Sequence, residues 1–103
     1  MIQKNNDLII NRLVEQIIPV ASPRTVIVYN KKFDMDGKMD SFKLCLVGDF
    51  PDHRRLLSQI FDIDCELPFD ILLYTPEQFD HLKEDTNAFA NRIYRKGKIL
   101  YGR

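Results

Sequence analysis

The sequence predicts a small α/β domain of the α+β kind: a mixed β-sheet packed with helices on one side. Three observations predict it. Near the start, Ile9, Leu13, Ile17 and Ile10, Val14, Ile18 recur at spacings of three and four, the period of an amphipathic helix. Largely apolar runs at 25–29, 41–47 and 69–74 each have the length of a strand. Thr75-Pro76-Glu77-Gln78 has the form of a capping box, so a helix should follow the third run. At 103 residues, 45% of them hydrophobic, the chain suffices for a single domain over 1–103 with its own core.

The first helix is expected from about Gln3 to Ile18, stopped by Pro19 and the Ser22-Pro23 pair. Thr25 to Tyr29 is β-branched and almost wholly apolar, as in a buried strand. Asn30 to Asp40 is polar and contains Gly37, which predicts a loop of eleven residues, long enough to carry function. In the second strand, Ser41 to Val47, Phe42, Leu44 and Leu46 share one face and Lys43, Cys45 and Val47 the other. Gly48-Asp49-Phe50-Pro51 is expected to open a helix with Asp49 as its cap and Leu56, Leu57, Ile60 and Phe61 inward. Phe69 to Tyr74 is the third strand, and the helix capped by Thr75 runs to about Lys83. A last helix, about Thr86 to Lys96, turns Phe89, Ala90, Ile93 and Tyr94 inward and ends at Gly97 as its C′ residue. Lys98 to Tyr101 either adds a short strand or lies over the core.

Lys+Arg and Asp+Glu both number 15, so the basic excess of a dedicated nucleic-acid binder is missing. The charge is nevertheless blocky. Residues 1–33 carry five basic and two acidic groups, a balance of +3; residues 34–85 carry five and thirteen, a balance of −8. Residues 86–103 carry five basic groups and no acid. No apolar run approaches the ~18 residues of a membrane span. The opening MIQKNNDLII is broken by Asn11 and Arg12, unlike a secretion signal, and Cys45 and Cys65 are too few for a disulfide scaffold. The expectation is a cytoplasmic protein with reduced thiols. Asp34-Met35-Asp36-Gly37 lacks the twelfth-position acid of a calcium loop, which counted from Lys32 falls on Lys43, so it reads as a turn. His53 and His81 lack a spaced His or Cys partner.

Four segments carry a family resemblance: Val26-Ile27-Val28-Tyr29; Asp40-Ser41 followed by Leu44-Cys45-Leu46-Val47; Phe69-Asp70-Ile71-Leu72-Leu73-Tyr74-Thr75-Pro76-Glu77-Gln78-Phe79; and Gly97-Lys98-Ile99-Leu100-Tyr101. In this order, over about Leu8 to Tyr101, they resemble the minimal nucleotidyltransferase domain of the DNA polymerase beta superfamily. In that family a Gly-Ser pair after the first strand holds the triphosphate. An Asp-x-Asp pair on the second strand and a third carboxylate on the next hold Mg²⁺.

At the matching positions this chain has Asn30-Lys31 for Gly-Ser and Phe42 and Leu44 for the carboxylate pair; Asp70 alone is retained. The resemblance therefore implies a nucleotidyltransferase-like fold with a degenerate site and no cofactor. It implies a protein partner for such a stand-alone domain, either a helical HEPN-type protein, as in a toxin–antitoxin or regulatory pair, or a second copy. Phe50, Phe61 and Phe79 are candidates for that contact. A second register would offer Asp34 and Asp36, or Asp40, converging with Asp70 on Mg²⁺ in an active enzyme. A third reading is a nucleotide sensor that binds through Lys31 and backbone amides.

Overall fold

A computed structural model describes the backbone of residues 2–102 and the side chains of residues 7–102. The elements are α1 (Ile2–Ala21), β1 (Thr25–Phe33), β2 (Met39–Val47), α2 (His53–Phe61), β3 (Phe69–Tyr74), α3 (Pro76–Leu82), α4 (Phe89–Lys96) and β4 (Lys98–Tyr101). The four strands form one mixed sheet in the order β3-β2-β1-β4. β1 is antiparallel to β2 and to β4, and β2 is parallel to β3. Among the described residues no helix is long and apolar enough to cross a membrane.

Helices cover both faces of the sheet rather than one. Val26, Val28, Phe42, Leu44 and Leu46 pack with Ile10, Leu13, Val14 and Ile17 of α1 and Leu56 and Ile60 of α2. On the other face Ile27, Cys45 and Val47 pack with Phe79 of α3 and Ala90 and Ile93 of α4. The reason lies in β1 and β2 themselves. Both alternate sets of their side chains are apolar, the pattern of strands buried on two sides.

α1 runs past Pro19 to Ala21. A proline this close to a helix end removes one backbone bond only, and the last turn still closes through the Ser22 N–H to the Ile18 carbonyl at 2.8 Å. Ser22, at φ 48°, and Pro23 then end the helix. α2 is capped by Asp52, not Asp49; the Asp52 carboxylate accepts the Arg55 N–H at 3.1 Å. The capping box at Thr75 and Gln78 forms as expected, with Pro76 in the first turn. α4 starts at Phe89, because the Asp85 carboxylate accepts the Asn87 N–H at 2.9 Å and turns the chain before it. Gly97 ends α4 at φ −79°, so it is required there for space and not for a left-handed backbone.

The expected eleven-residue loop is instead a β-hairpin. β1 continues to Phe33 across a bulge after Tyr29, where Asn30 takes φ 54°, and pairs with β2 as far as Phe33↔Met39. The turn closes through the Asp34 N–H to the Lys38 carbonyl at 2.8 Å, with Gly37 at φ 82°. The Asp34 carboxylate accepts the N–H groups of Asp36 and Lys38 at 2.9 and 3.0 Å. Asp34→Ala is expected to cost about 1 kcal/mol in urea unfolding, since two exposed backbone donors lose a charged acceptor. Asp36→Ala should be near neutral by the same measurement.

Candidate functional site

The strand register decides which of the candidate residues meet. β2 and β3 pair with Phe42 beside Phe69, Lys43 beside Asp70 and Leu44 beside Ile71. Neighbours in register share a face, and successive residues alternate. Phe42 and Leu44 therefore point to the α1/α2 side, where they are 1% and 0% exposed. Asp70 points to the α3/α4 side and is exposed. The two positions expected to carry the metal pair and the retained third carboxylate lie on opposite faces of the sheet.

The other candidates are dispersed as well. Asn30 is exposed on the bulge. Lys31 is half-buried, its Nζ 3.9 Å from the Asp7 carboxylate, which turns it toward α1 and away from Asp70. Asp34 and Asp36 sit in the hairpin turn, and Asp40 is exposed on β2 just past it. Asp34 already serves the turn backbone. Among the described residues, no three His, Cys, Asp or Glu side chains come together where they would hold a metal ion.

Of the three aromatics expected to meet a partner, two belong to the core: Phe50 is 7% and Phe79 3% exposed. Phe50 folds over Gly48, and Phe79 meets Tyr74 at 5.7 Å and Tyr94 at 6.1 Å between ring centroids. Only Phe61 is exposed, at 49%. It stacks on Phe69 at 5.2 Å, and Phe69 stacks on Phe42 at 5.9 Å, so three rings lead from the core to the surface beside β3. His53 is exposed on α2 against the edge of Phe50, and His81 is exposed on α3.

The register also brings together residues that spacing did not. Tyr29, Lys43 and Asp70 form one row across β1, β2 and β3 on the α3/α4 side. Phe89 packs edge-on against Tyr29 at 5.7 Å. Burial, reinforced by coupling to the neighbouring Cys45, Tyr74 and Asp70, pushes the Tyr29 hydroxyl up from 10.0 to about 12. This row holds one carboxylate, one ammonium and a phenol that stays protonated at neutral pH. It offers polar contacts but neither a metal cage nor an activated nucleophile. The only sequence signal for it was a polar residue in each of two apolar strands.

Toward the α4 end the basic residues are partly engaged. Arg95 Nε donates to Asn91 Oδ1 at 2.8 Å, and the Lys83 ammonium sits 5.0 Å above the Tyr94 ring. Arg24 grips Asp80 through two bonds of 3.2 and 3.0 Å, which ties the start of β1 to α3 and holds the Asp80 carboxyl below its usual range. A shallow groove lined by Arg12, Gln16, Asp64 and Glu66 separates α1 from the segment between α2 and β3.

No family model, curated protein or solved structure matches the chain.

The thiols follow their surroundings. Cys45 is fully buried, and burial pushes it from 9.0 to about 12, so the neutral thiol is the folded form. Its folded value lies above its unfolded one, so its contribution to stability is complete below pH 9.0. That contribution is lost as pH rises toward about 12. Urea midpoints are expected to fall over that window, and Cys45→Ser should not be used to test it, since the hydroxyl would itself be buried. A thiol reagent at neutral pH should modify half-buried Cys65 and spare Cys45 until the protein unfolds.

Proposed function

We propose that this protein is a non-catalytic protein-interaction module. The observation that carries the reading is the fate of Phe42 and Leu44. Both lie in the core, on the face opposite Asp70, where a catalytic metal site of the resembled kind would need carboxylates converging. In its finer form the reading draws on the sequence resemblance: a nucleotidyltransferase-like scaffold in the cytoplasm that retains a docking surface. The partner is then a helical HEPN-type protein, in an antitoxin-like or regulatory pair, or a second copy of the chain. The exposed ring of Phe61, stacked outward from Phe69, supports a contact surface beside β3.

The test is thermal stability with each nucleoside triphosphate, with and without Mg²⁺. A ligand at a hundred times its dissociation constant adds about 2.7 kcal/mol, a shift easily read in a chain this small. No shift is expected. A Mg²⁺-dependent shift abolished by Asp70→Ala would overturn the reading in favour of an active nucleotidyltransferase. A shift indifferent to Mg²⁺ and lost in Lys31→Ala would favour a nucleotide sensor.

A further inference from the structure

We propose that α4 carries a second contact surface, which tracks the phosphate backbone of a single-stranded nucleic acid. The proposal goes beyond the protein-interaction reading and concerns a different face of the molecule. The balanced net charge conceals this surface, because the charges are segregated. Residues 86–102 hold Arg92, Arg95, Lys96 and Lys98 and no acid. Three of these four cations stand on α4.

Helical spacing sorts α4 into two faces. Ala90, Asn91 and Ile93 are buried. Arg92, Arg95 and Lys96 are all exposed and, at spacings of three and four, stand together on the opposite side. Phe89, one turn before Arg92, continues their row and is 47% exposed. The row therefore leads from an aromatic ring to three cations. Among the described residues none of the three meets a carboxylate, whereas Arg24 and Lys83 both share Asp80. The acids nearest in sequence, Glu84 and Asp85, precede the helix, and the Asp85 carboxylate is engaged by the Asn87 N–H.

Arg95 is held in a set orientation. Its Nε donates to Asn91 Oδ1 at 2.8 Å. Asn91 is 6% exposed, and its amide nitrogen donates to the Lys83 carbonyl. A buried amide thus fixes the guanidinium plane, and both terminal nitrogens are without a partner among the described residues. A fork fixed in this way fits two oxygens of one phosphate and has little freedom left to lose on binding.

The layout selects the ligand. One small phosphate needs cations that converge on a point; these stand side by side along an open helix face, which fits phosphates in a row. The exposed ring of Phe89 at the end of the row fits an unpaired base, whose face a single strand offers. An acidic peptide would satisfy the cations but leave that ring without a base.

Fluorescence anisotropy of a labelled single-stranded oligoadenylate with the full chain is the test. Affinity should fall about twentyfold between ~50 and ~200 mM salt, the response of about three neutralised phosphates on a single strand. Arg95→Lys keeps the charge and loses the fork, and should weaken binding about fivefold with the salt response unchanged. Phe89→Ala should weaken it about tenfold. Arg54→Ala, which removes an equal charge from the exposed side of α2, should leave it unchanged. The wild-type salt response needs no variant to fold. Absence of binding by the wild type at low salt overturns the proposal, as does binding that Arg92→Ala and Arg95→Ala leave intact. Polyglutamate that competes as well as unlabelled oligoadenylate also overturns it and assigns the face to an acidic protein partner.

Discussion

Leu44→Asp, which installs a carboxylate where the family resemblance expects one, should unfold the protein. Leu44 is 0% exposed and packs between the α1 and α2 side chains on one face of the sheet. Among the described residues, neither Lys31, which points to Asp7, nor Lys43, which lies on the other face, is placed to receive a charge there. Truncation to alanine alone costs about 2–5 kcal/mol at such a site. The aspartate adds the burial of an unpaired polar group, and the total reaches the ~5–15 kcal/mol by which a whole domain is stable. Phe42→Asp should behave in the same way, while Asp70→Ala, at an exposed position, should leave the urea midpoint nearly unchanged. Circular dichroism of the three variants reads the result directly. A folded Leu44→Asp protein that gained Mg²⁺-dependent nucleotide binding would show that this face is a site and not a core.

Gly97→Ala is the second large effect. The backbone at Gly97 has φ −79°, a conformation open to any residue, so the obstacle is space. A Cβ added there would lie 2.5 Å from the Ile93 carbonyl oxygen, 2.6 Å from Ile27 Cγ2 and 2.9 Å from the Val28 carbonyl oxygen. Two of these are backbone atoms, one in α4 and one in β1, and neither can yield without moving its element. Overpacking of this kind costs about 1–3 kcal/mol or more, against a gain of about 0.4–1 kcal/mol from stiffening the unfolded chain. A net loss of about 2 kcal/mol should lower Tm by roughly 10 °C. A variant as stable as the parent would mean that β4 need not follow α4 so closely.

Local signals in the chain proved sufficient for some elements and not for others. β3 and the capping box at Thr75 and Gln78 are written in adjacent residues, and both form at the expected places. The fold class, a mixed sheet with helices, follows from the same kind of local evidence. The hairpin escaped because Asn30, Lys31 and Lys32 look like a loop, and only pairing with the start of β2 makes them a strand. The second helical layer was readable in the doubly apolar alternation of β1 and β2, but needed both faces to be weighed together. The candidate site was least legible. Whether Asp70 shares a face with Phe42 or with Lys43 depends on how β3 is set against β2, and a shift of one residue reverses the answer. Nothing within either strand contains that offset.

The position of β4 has a consequence for how the protein is made. β1 is the second strand of the sheet counted from one side, yet its outer neighbour is β4, separated from it by most of the chain. On the ribosome, α1, β1 and β2 can assemble early through contacts close in sequence, while the β4 pairing waits for residues 98–101. Until then Thr25-Val26-Ile27-Val28-Tyr29 lines an open edge, a β-branched, uncharged segment of the kind that seeds cross-β stacking. A nascent chain stalled before residue 98 would thus be a far greater aggregation hazard than the finished protein, in which β4 covers that strand.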